Sequence, residues 1–183
     1  MKDSKRDILD FWFQETKPAQ WFQQNEAFDD RIRTRFGPDY DLAAKGIFNG
    51  WRDDADGCLA LVVLTDQFPR NMFRGRSRAF DTDAQACGVT VHALEKHFDR
   101  MLGTDQRAFL YLPLSHSEAL LDQDRAVTLF ATLKDKNPVY FEHAVRHRDL
   151  IVRFGRFPTR NKALGRENTA EETAYLMEQD AGQ

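Results

Sequence analysis

The sequence predicts an all-α fold of about nine helices that pack as antiparallel pairs. Three observations support this prediction. Apolar residues recur at spacings of three and four, the strict alternation of half-buried strands is absent, and the connections are short and marked by proline or glycine. With 183 residues and an apolar fraction of 42%, the chain is expected to form a single domain, residues 1–183, around one core.

The first three helices are predicted from apolar clusters that end at helix breakers. Ser4 can cap the first helix, which Pro18 closes. The second carries the apolar residues of the range 21–36 and is expected to end at Gly37-Pro38. A third helical pattern covers the range 40–51.

The most apolar stretch of the chain runs from Cys58 to Leu64, after aspartates in the range 53–56 that can cap a helix. Its periodicity alone fits either a buried strand or a buried helix. Because no strands are predicted elsewhere and the segment continues to Phe68, we expect a buried helix, which Pro69 should stop. Polar residues follow at once, and a rigid buried element is a suitable support for a site.

The C-terminal half is predicted to contain the remaining helices. Their caps and ends follow from Ser, Thr, Asp, Gly and Pro residues beside apolar periodic segments. In chain order they are Thr82 to Phe98 capped by Asp81, Arg107 to Leu112 broken by Pro113, His116 to Leu121 capped by Ser115, a helix started by Asp122 or Asp124, Tyr140 to Phe154 ended by Gly155, and a last helix capped by Thr169. The short connections between them favour antiparallel neighbours.

Composition excludes several classes of protein. The net charge of −3 gives no general attraction to nucleic acid or to anionic membranes. The two cysteines, Cys58 and Cys87, do not make a disulfide framework in a chain of this size, so a reduced, cytoplasmic protein is expected. No window approaches the ~18 apolar residues of a membrane span, and the first residues lack the apolar stretch of a signal peptide. We therefore expect no membrane or nucleic-acid partner, and the oligomeric state stays open.

Basic charge is concentrated in two windows of the chain. Residues 66–80 carry a net charge of +3 and residues 146–166 carry +6, although the whole chain carries −3. Ten of the eleven cations in these windows are arginines, whose planar fork fits carboxylate and phosphate groups. Either several of them converge on an anionic ligand, or they cap helix ends and pair with the chain's own acids. Four are expected to be mainly structural: Arg76, Arg78, Arg146 and Arg148.

The two basic windows also share a sequence pattern. DQFPRN at 66–71 and GRFPTRN at 155–161 both place Phe-Pro at the end of an apolar helix, with Arg-Asn beyond it. If these loops are neighbours, Arg70 and Arg160 should approach one another around an anion, or around a carboxylate such as Asp66 or Glu118. If the loops lie at opposite ends of the array, each arginine caps its own helix.

Histidines supply further candidate chemistry. His116, Ser117 and Glu118 lie at a predicted helix start, where backbone N–H groups can bind an anion and His and Glu can act as acid and base. The alternative is a serine cap followed by ordinary polar residues. His143 and His147 share a helix face, but there is no HExxH motif and no cysteine cluster, so no metal or other cofactor is predicted.

Several motifs together resemble a known bacterial family. They are DFWF at 10–13, LTDQFPRNMFRG at 64–75 with the AFDTDAQA that follows, FLYLPLSHSE at 109–118 and RFGRFPTRNKALGRENTAEE at 153–172. In this order they are similar to the family catalogued as domain of unknown function 924, over nearly the whole chain. The resemblance implies a tetratricopeptide-like, right-handed α–α superhelix and no established activity. Similar members usually carry His where this chain has Thr159, which counts against a mechanism that needs an imidazole in the last loop.

The first functional hypothesis is a pocket for a small phosphorylated or carboxylated ligand, with hydrolysis or group transfer as the reaction class. The loop after Phe68, the segment at His116 and the loop after Phe157 would line it. Asp66 or Glu118 would act as the base, and His116 would carry the proton. The predicted ligand-binding residues are Gln67, Arg70, Asn71, Arg74, Ser117, Arg153, Arg156, Arg160, Asn161 and Arg166.

A second hypothesis is an interaction module. Tetratricopeptide-like arrays often bind peptides on a concave surface, where the arginines would hold an acidic segment or a C-terminal carboxylate. RNA binding is a third hypothesis, which the net acidity and the core spacing of the phenylalanines disfavour. An enclosed pocket would support the first hypothesis, an open groove the second and a broad basic face the third.

Overall fold

The computed structural model describes residues 4–181, and all regular structure in this range is helical, which confirms the all-α prediction. The α-helices are α1 Ser4–Asp10, α2 Glu26–Ala44, α3 Ala55–Val62, α4 Phe68–Met72, α5 Asp83–Glu95, α6 Thr104–His116, α7 Leu120–Ala131, α8 Pro138–Phe154, α9 Asn161–Leu164 and α10 Ala170–Ala181. Because a π-helical turn, Val63–Gln67, joins α3 to α4, these two form one rod, and the described residues then contain nine helical units. The ends of the predicted domain, residues 1–3 and 182–183, lie outside this range.

Helix α3 occupies the centre of the molecule. It packs against α1, α5 and α6, and every residue from Cys58 to Leu64 is at most 1% exposed. Aromatic rings from α2, α6 and the segment after α1 surround the rod, with Phe11, Trp12 and Phe68 at their centre. The interpretation of this stretch as a buried helix is therefore confirmed.

Pro69 does not stop the helix as predicted. The π turn precedes it, and Phe68 closes that turn by donating its backbone N–H to Val63 O. Pro69 has no N–H for the carbonyl of Thr65, and the Thr82 hydroxyl donates to that carbonyl instead, at 2.5 Å. The wider turn thus accommodates the proline, and the rod continues to Met72.

Two other prolines also lie inside helices that were predicted to end there. Helix α2 passes through Pro38 to Ala44, and the predicted third helix over 40–51 is reduced to the end of α2 and a short 3₁₀ turn, Asn49–Asp53. Pro38 and Thr34, whose carbonyl it leaves free, are exposed, so water can satisfy that carbonyl. Helix α6 continues through Pro113, whose neighbours on both sides are buried, and α5 packs against it with Cys87 and Thr90 donating to the carbonyls of Pro113 and Leu110.

Three of the predicted caps and helix ends are observed. Asp54 accepts from Gly57 N at 2.7 Å at the start of α3, and Thr169 forms a reciprocal cap with Glu172 before α10. Gly155 ends α8 in the left-handed conformation, with φ of 69°. The starts assigned to Asp81, to Ser115 and to Asp122 or Asp124 are wrong, because α5 begins at Asp83, Ser115 lies within α6 and α7 begins at Leu120.

Successive helices pack against one another along the second half of the chain, α5 on α6, α6 on α7 and α7 on α8. Such pairing is the arrangement expected from short connections. The right-handed, tetratricopeptide-like path of this array stays a prediction. None of the helices in residues 4–181 combines the length and the apolarity that a membrane span requires.

The close approach at Gly57 yields a test of the packing. A Cβ atom at Gly57 would lie 1.8 Å from the backbone oxygen of Trp51, so α3 would have to move. We expect Gly57→Ala to lower the free energy of unfolding by about 1–3 kcal/mol, as overpacking does. Urea denaturation measures this change.

The matched control is Gly88→Ala in α5. A Cβ there meets no atom within 4 Å, so the substitution should raise the free energy of unfolding by about 0.5–1 kcal/mol. Equal effects of the two substitutions would contradict the packing of α3 on the turn before it.

Candidate functional site

Three segments that are distant in sequence meet beside the π turn. The rod formed by α3 and α4 contributes Asp66 and Arg70, the C-terminal end of α6 contributes His116, and the 3₁₀ turn Pro158–Arg160 contributes Arg160. A fourth segment, the start of α5, adds Asp83. These five residues are called the central cluster below.

Asp66 is the buried centre of this cluster, with a side chain that is 0% exposed. Its carboxylate accepts from His116 Nδ1 at 2.9 Å and from the Gln67 amide, and Arg70 Nη1 lies 3.1 Å from Oδ1. Burial alone would raise the pKa of Asp66, but Arg70 and His116 outweigh it and the pKa falls to about 2. Asp66 is therefore ionised at neutral pH.

The ionised carboxylate fixes the orientation of His116. Both oxygens of Asp66 lie within 3.0 Å of Nδ1, so that nitrogen carries the proton of the neutral ring. Burial lowers the pKa of His116, with a further contribution from Arg70, and the ring is neutral at pH 7. Nε2 makes no hydrogen bond to the described residues, and the side chain of His116 is 13% exposed.

Arg70 and Arg160 approach one another, as the repeated Phe-Pro pattern predicts. Both contact one oxygen of Asp83, Arg70 Nη2 at 3.1 Å and Arg160 Nη1 at 3.3 Å. The carboxylate between them is thus Asp83, rather than Asp66 or Glu118. Burial lowers the pKa of Arg160, and repulsion by the neighbouring charge of Arg70 lowers it further.

Aromatic rings and the end of α6 hold the two guanidinium groups. Arg160 lies 4.8 Å from the ring centroid of Phe80 and 4.5 Å from that of Phe157, and Arg70 lies 5.8 Å from Phe80. Arg160 Nη2 also donates to the carbonyl of His116 at 2.8 Å. A cation is favourable at this position because the C-terminus of a helix carries partial negative charge.

The position of His116 differs from the prediction in one respect. His116 ends α6, and Ser117 and Glu118 lie directly before Ala119, the N-cap residue of α7. Pro113 does not break α6, so the predicted separate helix from His116 to Leu121 is wrong and the next helix starts at Leu120. The Ser117 hydroxyl accepts from the backbone N–H of Ala119 at 3.1 Å, which agrees with the alternative of a serine cap.

Glu118 and its neighbours form a separate ion-pair group. Arg166 binds both oxygens of Glu118, at 2.7 and 2.9 Å, and the backbone N–H of Phe157 donates to the same carboxylate. Arg166 also donates to Asn161, which is buried. Ser117 donates to Asp122 at 2.7 Å. These contacts join the last loop to α6 and α7, and they occupy the oxygens that a catalytic Glu118 would need.

The remaining predicted ligand-binding residues face other parts of the chain. Asn71 and Arg74 both bind Asp29 of α2, at 2.7 Å and 3.0 Å, and line a surface pocket of about 720 Å³ that the central cluster does not line. Two arginines hold α10, because Arg153 pairs with Glu171 and Arg156 with Glu172. Of the predicted residues, the structure thus brings together Asp66, Gln67, Arg70, His116 and Arg160.

Sequence reasoning missed two members of this region. Asp83 lies in an ordinary predicted helix start, and only its acidic side chain beside a basic window indicates a partner for arginine. The sequence spacing of His147 suggests only a metal ligand, yet its ring lies 6.0 Å from that of His116 and its Nδ1 lies 3.0 Å from both oxygens of Ser115. Within residues 4–181 no group of three or more His, Cys, Asp or Glu side chains could hold a metal.

The burial of Asp66 predicts a large effect of removing it. Asp66→Ala leaves Arg70 without its buried partner, so we expect the free energy of unfolding to fall by roughly 3–5 kcal/mol. Asp124→Ala, which breaks an exposed pair with Arg148, should cost at most about 1 kcal/mol. Similar urea midpoints for the two variants would contradict the role assigned to Asp66.

Burial of His147 predicts a loss of stability in acid. Burial lowers the pKa of His147 to about 4, whereas an unfolded histidine titrates near 6.5. Between these values the unfolded chain takes up a proton that the folded chain does not, so stability is complete above pH 6.5 and falls as the pH falls. The free energy of unfolding that is lost between pH 8 and pH 5, measured by urea denaturation, should be smaller by about 1–2 kcal/mol in His147→Gln than in the unaltered protein.

The control for this experiment is His97→Asn, which removes an exposed imidazole and keeps a residue type that tolerates the positive φ of 58° there. It should lose as much stability between pH 8 and pH 5 as the unaltered protein. An equal loss in His147→Gln would show that His147 does not cause it.

Comparison with known proteins agrees with the motifs and the fold. Residues 8–180 match the model of the family described as bacterial protein of unknown function (DUF924). A solved structure titled as a protein of unknown function, ATU0120, from Agrobacterium tumefaciens is 42% identical, with a TM-score of 0.90 over 95% of this chain and 97% of that chain. No curated protein matches. The chain therefore belongs to the bacterial family of unknown function DUF924.

Proposed function

We propose that the protein binds a small phosphorylated or carboxylated metabolite at the central cluster and that His116 transfers a proton during its hydrolysis or group transfer. The observation that carries this proposal is the pairing of a fully buried carboxylate with a partly exposed imidazole. Asp66 holds Nδ1 of His116, and Nε2 makes no hydrogen bond to the described residues. This is the arrangement by which a carboxylate orients a general base.

The arginines supply the affinity for an anion. Arg70 and Arg160 lie on either side of one carboxylate oxygen, so the two forks already bind a planar anionic group together. The side chains of Arg70, Arg160 and His116 are 21%, 14% and 13% exposed, and the cluster therefore reaches the protein surface. A ligand anion bound there would lie next to the imidazole.

In the proposed reaction, Nε2 of His116 takes a proton from a water molecule or a substrate hydroxyl as its oxygen attacks the phosphorus or carbonyl carbon. The positive charge that develops on the imidazole is stabilised by Asp66, and the same nitrogen then gives the proton to the leaving group. Arg70 and Arg160 stabilise the negative charge that develops on the substrate. The reaction is balanced without any further reagent.

The alternative, an interaction module for acidic peptides, has less support. It requires arginines that are available on one surface, yet Arg153, Arg156 and Arg166 pair with acids of this chain. No observation in the part of the chain that the structure describes favours a peptide groove at these residues.

Phosphate and a panel of chromogenic phosphate monoesters and carboxylic esters test the proposal. Phosphate should raise the melting temperature, because at about 100 times its Kd a ligand stabilises the folded state by ~2.7 kcal/mol. Arg160→Ala should lose this effect. His116→Gln should keep phosphate binding and lower turnover by roughly 10²–10⁴-fold, the usual contribution of a general base.

Arg153→Ala is the matched control, since it removes an arginine that pairs with Glu171 outside the central cluster. It should respond to phosphate as the unaltered protein does. The proposal is wrong if phosphate stabilises Arg160→Ala as much as Arg153→Ala, or if any turnover survives unchanged in His116→Gln.

A further inference from the structure

Asp83 differs from Asp66 in how firmly the cluster holds it. Asp66 is fully buried and all its contacts are to Arg70, Gln67 and His116 at hydrogen-bond distance. Asp83 is 18% exposed, and its buried Oδ1 has no hydrogen bond of good geometry although Arg70 Nη1 lies 3.0 Å away. A buried carboxylate oxygen without a proper donor is costly, so the hold on Asp83 is incomplete.

The charges of the cluster show that Asp83 is not needed to neutralise Arg70. Asp66 already provides a buried negative charge 3.1 Å from Arg70. Within residues 4–181, Arg160 forms its ion pair with Asp83, with Nη1 3.3 Å from Oδ2. Asp83 is thus the anion that allows the two arginines to lie side by side, and it occupies the position that a ligand anion would take.

We propose that Asp83 is an internal competitor of the ligand: its carboxylate lies between Arg70 and Arg160 in the free protein and turns away when the anionic group of the ligand enters. This inference rests on the proposed function, because it concerns the same pair of arginines. Asp83 is then a specificity-determining residue. Its charge makes the free cluster electrically neutral, and the cluster selects ligands whose anionic group can replace a carboxylate between two guanidinium forks.

The position of Asp83 permits this exchange. It is the first residue of α5, where no preceding turn of the helix restricts the side chain, and it is partly exposed. Burial and the charge of Asp66 raise the pKa of Asp83. Of the two carboxylates in the cluster, Asp83 is therefore the one whose ionised form is less stabilised. A ligand that brings its own negative charge can therefore displace it.

Phosphate binding to Asp83→Asn tests the inference. Removing one negative charge between the arginines should lower the Kd for inorganic phosphate by about tenfold or more in isothermal titration calorimetry. Asp124→Asn changes the net charge of the protein equally at an exposed pair with Arg148, and it should leave the Kd unchanged. This control separates a local competitor from a general effect of charge.

Three outcomes decide the matter. Tighter binding by Asp83→Asn alone supports the inference. If the unaltered protein binds phosphate and Asp83→Asn binds it equally well or more weakly, the inference is overturned and the proposed function stays intact. Absence of phosphate binding in the unaltered protein and in both variants overturns the proposed function as well.

A second measurement covers the case in which Asp83→Asn does not fold. Crystals of the unaltered protein grown in phosphate should show phosphate oxygens between Arg70 and Arg160, with the Asp83 carboxylate turned toward solvent. Retention of both contacts from Asp83 with phosphate bound beside them would overturn the inference.

Discussion

The structure depends on how one buried carboxylate is neutralised. Asp66 follows directly from the most buried segment of the chain, and an isolated ionised group at such a position would cost several kcal/mol or more. Arg70 from the same rod and His116 from α6 remove most of this cost through contacts of about 3 Å. The same contacts fix the orientation of an imidazole, so the interaction that stabilises the fold also builds the candidate site.

Asp66 lies within the π turn. All five residues of the turn, Val63–Gln67, are buried, and so are the regular helical residues Cys58 to Val62 before it, because the rod lies at the centre of the molecule. The carbonyls that the turn and Pro69 leave free find donors in Thr82 and Arg70. Local irregularity in the rod is thus compensated by the side chains that also form the walls of the site.

Segregation of basic charge has two physical explanations in this protein. Three of the six arginines in the second basic window fasten the C-terminal segment, because Arg153, Arg156 and Arg166 each pair with a glutamate of this chain. Arg160 is different, since its partner Asp83 lies 77 positions away and is shared with Arg70. Pairing with the chain's own acids therefore accounts for all these arginines, and convergence on an anionic ligand stays a proposal for Arg70 and Arg160.

The sequence alone determined the helical class, the buried rod and three of the caps, because helical periodicity and capping chemistry are local signals. The repeated motif left two alternatives for Arg70 and Arg160, and the tertiary structure decided that they approach one another. Only the tertiary structure decided that Pro38, Pro69 and Pro113 lie within helices, because hydration at Pro38, the Thr82 hydroxyl at Pro69 and burial around Pro113 offset the lost hydrogen bonds. It also decided which acids meet which arginines. Asp83 and Glu118 resemble many other acidic residues in sequence, and their partners follow from contacts between segments that no local pattern encodes.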